Sequence, residues 1–123
     1  MVDTYIKVGD QTPLASSVTK PADRNFRDAW VLDSDKKVIS EDVAKAKDIF
    51  KDKIREVRKP LLEAEDVAYM KALEADDASA KTASTNKKKS LRDAPAASAI
   101  SSADTITKLK AAWDTSLLGD SPY

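Results

Sequence analysis

The strongest pattern of apolar and polar positions in this chain lies between residues 41 and 75. Apolar residues recur at Val43, Ala46, Phe50, Ile54, Val57 and Leu61, at spacings of three and four. That period lines one face of an α-helix and comes close to a heptad seam. The opposite face carries Lys45, Asp48, Lys51, Asp52, Arg55 and Lys59. Ser40 is a good N-cap type, and Glu41 and Asp42 would then fall in a first turn where the helix dipole favours carboxylates. Pro60 interrupts the stripe, and a proline inside a helix costs roughly 3 kcal/mol. The apolar positions nevertheless resume at Leu62, Val67, Met70 and Leu73. Pro60 is therefore either a kink in one rod or the first residue of a new helix, and the immediate resumption favours the kink.

Asp76-Asp77 supplies a cap, and a polar, alanine-rich helix is predicted over 78–93, carrying Leu91 near its end and stopped by Pro95. The two helical stretches differ sharply in charge. Residues 61–77 hold six acids and Lys71, and residues 78–92 hold Lys81, Lys87, Lys88, Lys89 and Arg92 with no acid. A short turn at Asp76-Asp77 lays them antiparallel with opposite charges facing, which sets register more than stability. Residues 94–102 read as an Ala/Ser/Pro link. Asp104 or Thr105 then caps a last short helix carrying Ile106, Leu109, Ala112 and Trp113, before a polar end.

Upstream, residues 1–22 show no helical period. Tyr5, Ile6 and Val8 suit a short strand, and Gly9-Asp10 reads as a turn. The segment is expected to be an extended arm that orders against something else. Residues 23–40 read as a β-hairpin. Phe26, Asp28, Trp30 and Leu32 share one parity, Asp33–Lys36 forms the turn, and Lys37-Val38-Ile39 returns. A two-stranded ribbon alone is marginal in water, so Phe26, Trp30 and Ile39 must pack on a helix or a partner. The expected fold is mainly α: a long helix, kinked or divided at Pro60, within a helical hairpin over 41–93. A short β-ribbon and an extended arm precede it, and a linker, short helix and tail over 94–123 follow.

Composition narrows the chemistry. Of 123 residues, 21 are basic and 21 acidic, and Leu, Ile, Val and Phe together number only 25, against 19 alanines. The core is therefore expected to be thin, as in elongated helices or in a chain that completes its core against a partner. With no Cys and no His, thiolate chemistry, Cys- or His-based metal sites and a Ser-His-Asp triad are excluded. Two glycines cannot build a Gly-rich phosphate loop. No catalytic residue, metal or cofactor is expected. Carboxylates such as Glu63, Glu65 and Asp66 read as a solvated helix face. Lys87-Lys88-Lys89 lacks the interleaved aromatics of a nucleic-acid surface, and the neutral net charge disfavours that partner. No apolar run is long enough to span a membrane, and the first residues do not read as a signal peptide.

Three blocks carry a family resemblance. They are Asp23–Trp30; Lys45–Ile49 leading into Ile54-Arg55-Glu56-Val57-Arg58-Lys59-Pro60-Leu61-Leu62; and Leu91-Arg92-Asp93-Ala94-Pro95 followed by Leu109–Trp113. In this order they resemble small proteins encoded among the tail and tail-fibre genes of tailed bacteriophages, the tail assembly chaperone-like and virion proteins. The Arg-x-x-Arg-x-x-Leu-Leu and Leu-Arg-Asp-x-Pro blocks carry most of the likeness, which covers residues 23–113.

The resemblance implies a non-enzymatic structural protein of a tailed-phage virion, made in the host cytoplasm and acting by contact in the tail, tail fibre or baseplate. The alternatives are a transient assembly chaperone and a head or neck accessory protein. Partners would be other phage structural proteins, with the chain itself a homo-oligomer in the assembly. Tyr5, Ile6 and Val8 could add a strand to a neighbour's sheet edge. Phe50, Ile54, Val57 and Leu61 would pack on the ribbon or on a symmetry mate. Phe26, Trp30 and Trp113 complete the expected contact set.

Overall fold

The computed structural model describes residues 6–8, 11–13, 15, 18–21, 23–34 and 37–123. It is mainly helical, with a two-stranded antiparallel sheet near the N-terminus. Strands β1 (Trp30–Leu32) and β2 (Ile39–Glu41) precede helices α1 (Val43–Glu74), α2 (Ala78–Asp93), α3 (Ser98–Ser101), α4 (Ile106–Ala111) and α5 (Thr115–Leu118). Short 3₁₀ turns at Arg27–Ala29 and Ala94–Ala96 complete the path. The chain divides into two compact units, Met1–Ile49 and Phe50–Tyr123.

In the first unit the strands pair Trp30 with Glu41, Val31 with Ser40 and Leu32 with Ile39. The first strand is shorter than its parity suggested, because residues 27–29 coil into a 3₁₀ turn closed by the Ala29 N–H donating to the Phe26 carbonyl. That turn sets the Arg27 guanidinium over the Trp30 ring, 4.5 Å from its centroid. The helix start also shifts. Ser40 and Glu41 are taken by the ladder, so Asp42 is the cap: its carboxylate accepts from the Lys45 N–H at 3.1 Å. Asp33 holds the connection by accepting from the N–H groups of Lys37 and Val38, whereas positions 35 and 36 of the expected turn lie outside the described residues.

The segment expected to be an extended arm ordering against something else makes contacts within its own chain among the described residues. Val8 and Gln11 exchange both backbone hydrogen bonds, Thr19 bridges to Val38 in parallel, and the Ile39 N–H donates to the Thr19 carbonyl. Ile6 and Val8 are buried with Trp30 and Ile39, flanked by Ala15, Val18 and Leu32. Tyr5, Gly9 and Asp10 lie outside the described residues.

In the second unit α1 runs unbroken through Pro60, so one helix replaces the two-helix alternative. Pro60 is exposed, which leaves its ring on the solvent side, and the Glu56 carbonyl four residues earlier loses its helical donor. At the end of α1, Asp76 adopts φ 50°, the Asp77 N–H reaches back to the Ala72 carbonyl and the Asp76 N–H to that of Leu73. This is a Schellman turn with aspartate where glycine is usual. Asp77 then caps α2, its carboxylate accepting from the Ala80 N–H at 3.0 Å.

Beyond α2 the structure holds more order than the expected link. Pro95 is buried in the 3₁₀ turn, and α3 follows it and buries Ile100. Thr105 caps α4 through the Lys108 N–H, and Asp114 caps α5. Phe50 meets Trp113 edge-on at 5.7 Å and stacks on Tyr123 at 5.5 Å, while the Trp113 indole N–H donates to the Gly119 carbonyl at 3.1 Å. The Phe50 face of α1 is thus covered by the chain's own C-terminal segment.

Candidate interaction surface

The charge partition between the helices resolves into pairs along an antiparallel hairpin. Lys87 Nζ lies 3.4 Å from Glu65 and Lys88 Nζ 2.7 Å from Asp66, and at the turn Lys81 lies 3.6 Å from Asp76. Lys88 also sits over the Tyr69 ring, 5.0 Å from its centroid. At the far end of α2, Arg58 Nη1 donates to the Arg92 carbonyl at 2.9 Å and to the Leu91 carbonyl at 3.3 Å. A guanidinium there meets the carbonyls a helix end leaves unpaired, where the dipole is negative. Arg58 and Leu91-Arg92 belong to the two blocks that carry the sequence resemblance, and these hydrogen bonds join them.

Ala72, Ser84 and Leu91 are buried along the hairpin. With side chains as small as Ala72 and Ser84 buried there, the apolar contribution of that seam stays modest. The outer face of α1 is different. Val67, Met70 and Leu73 remain 55%, 53% and 48% exposed. At spacings of three they form a ridge, and Glu63, Asp66 and Glu74 stand exposed beside it. On the outer face of α2 the exposed, mostly small side chains of Ala78, Ser79, Thr82, Ala83 and Asn86 line a shallow hollow, wide open to solvent.

Most of the contact residues expected from sequence are spent within the chain. Ile6, Val8, Phe26, Trp30, Phe50, Ile54 and Trp113 are buried, and Val57 and Leu61 are half-buried. The seven buried ones are core side chains here rather than open surface, and Tyr5 lies outside the described residues. The structure brings Phe50 and Trp113 together, while Ile6, Val8 and Trp30 form a separate cluster in the first unit. The open apolar face instead belongs to Val67, Met70 and Leu73. Their periodicity and the pairing of α1 with α2 were visible in sequence; which side of α1 the pairing leaves open was not.

Two ionisable groups near the C-terminus are shifted. The hydrogen bond from the Ser116 hydroxyl is the chief cause holding the Asp114 carboxyl below the usual range; burial opposes it, and the Leu117 and Ser116 N–H groups add smaller lowering effects. Burial beside Phe50 and Trp113 raises the Tyr123 phenol. Among the described residues no cluster of three acids forms a metal site, and no helix is long and apolar enough to cross a membrane. No protein-family model, curated protein or solved structure compared with the chain matches it.

Proposed function

We propose that this chain is a non-enzymatic structural protein that works by protein–protein contact, in the tail, tail fibre or baseplate of a tailed-phage virion. The observation that carries the contact reading is the ridge of Val67, Met70 and Leu73. Three large apolar side chains, rimmed by carboxylates, stay in water on the outer face of a folded hairpin. Such an open apolar ridge contributes little to folding in isolation and is the usual mark of a docking surface. The phage setting is supported by the resemblance over residues 23–113 alone. In this reading the chain is made in the host cytoplasm and incorporated with other structural proteins. Mass spectrometry of purified particles of the encoding phage is the test. Stoichiometric presence is expected. Detection in infected cells but not in particles replaces the structural reading with the transient assembly chaperone, and absence from both removes the phage setting.

A further inference from the structure

We propose that the occupant of the ridge is a second copy of this chain, which seats the outer face of its α2 on the outer face of α1, head to tail. This rests on the contact reading and names its partner. Charge complementarity is the first support. Glu63 and Glu74 beside the ridge, and Lys89 on α2, make no ion pair among the described residues. Residues 61–77 of α1 and its turn are predominantly acidic, with six acids against the exposed Lys71, whereas residues 78–92 contain no acid. Ridge against ridge would oppose Glu63, Asp66 and Glu74 to their own copies, so the acidic face selects α2 of the neighbour.

Register is the second support. Within the hairpin Glu65 faces Lys87 and Asp66 faces Lys88. By that register Val67 stands level with Asn86, Met70 with Thr82 and Ala83, Leu73 with Ser79, and Glu63 with Lys89. A neighbour added side by side in the same orientation puts its α2 antiparallel to α1, as the chain's own α2 already is. The ridge then falls on the hollow along its length, and Glu63 meets Lys89 of the neighbour.

Shape is the third. Ala78, Thr82 and Asn86 form one row at spacings of four, Ser79 and Ala83 another, and the hollow lies along them. Val67, Met70 and Leu73 form a row at spacings of three. Packing a three-row ridge into a four-row groove is a preferred helix contact, at about 20°. Because the two faces differ, each added copy leaves one of each free, and the contact repeats into a ring or an open array.

Sedimentation velocity of the full chain, from about 10 to 500 μM at low salt, tests the proposal over the weak range expected of a small interface. Concentration-dependent growth beyond a dimer, reduced by added salt, is expected. Met70→Glu and Ala83→Glu each place a charge on an exposed position of one face and should each weaken association at least about tenfold. Circular dichroism confirms that both still fold. Mixed together, the two variants should form a heterodimer and nothing larger, since only one intact face of each remains. Glu63→Lys should weaken association, and Glu63→Lys with Lys89→Glu should restore it. A chain monomeric throughout, association indifferent to both face variants, or either variant alone still forming a full dimer overturns the head-to-tail contact. A monomer that is nevertheless stoichiometric in particles overturns this inference while leaving the contact reading in place.

Discussion

Asp76 turns the chain from α1 into α2 with φ 50°, a left-handed conformation in which a Cβ is crowded. Its ion pair with Lys81 is long and exposed, so it contributes little. Asp76→Gly should therefore stabilise the protein by about 1 kcal/mol, read as a raised midpoint in chemical denaturation; a lowered midpoint would show that the carboxylate matters more than the backbone. Tyr123 supplies the pH prediction. Burial raises its phenol, so its contribution to stability is complete below the ordinary tyrosine value of about 10 and is lost as pH climbs through the higher folded value. An ultraviolet phenolate titration should show one late ionisation, abolished in Tyr123→Phe; a titration with no late step would contradict the buried placement. Residue-scale features were unevenly legible. The Asp76-Asp77 cap could be read because turn and cap chemistry is local. The cap of α1 could not, because Ser40 serves a ladder whose extent depends on Trp30, ten residues upstream.

At the scale of elements, α1 and α2 were the most legible parts of the fold, since a period of 3.6 over many residues leaves few alternatives. Their antiparallel pairing could also be read, because a block of acids followed by a block of bases has one short-turn solution that opposes them. Pro60 could not be settled from sequence: the continuity of α1 depends on packing either side of it, and Val57, Leu61 and Leu62 all lie half-buried on the helix. Helices α3 and α5 are too short to show a period at all. Arg58 ties the hairpin at its open end. Arg58→Met keeps the apolar stem and removes the donor that serves the Leu91 and Arg92 carbonyls. The expected cost is about 1 to 2 kcal/mol, read by denaturant midpoint with little change in helix content. An unchanged midpoint would mean that water serves those carbonyls equally well.

At the scale of the whole molecule, each unit carries one of the two tryptophans, Trp30 in the first and Trp113 in the second. The first unit rests on a two-stranded ribbon with a small cluster around Ile6, Val8 and Ile39, and the buried Trp30 indole N–H finds no acceptor among the described residues. The second encloses Leu91, Ile100, Leu109 and an aromatic trio. Fluorescence of Trp113→Phe, reporting on Trp30, should therefore change at lower denaturant than that of Trp30→Phe, reporting on Trp113. Coincident transitions would show one cooperative unit. By itself the sequence determined what short-range physics controls: the helical stretches, the cap between them, their opposed charges, and an inventory without thiols or imidazoles. Only the tertiary structure decided which apolar residues are used up inside the chain and which stay open. Phe50 is covered by Trp113 and Tyr123 from the far end of the sequence, and Ile6 and Val8 by Trp30 and Ile39. Val67, Met70 and Leu73 are left in water. Periodicity marks a helix face as apolar, but burial depends on contacts between residues distant in sequence, and no local pattern encodes which partner arrives.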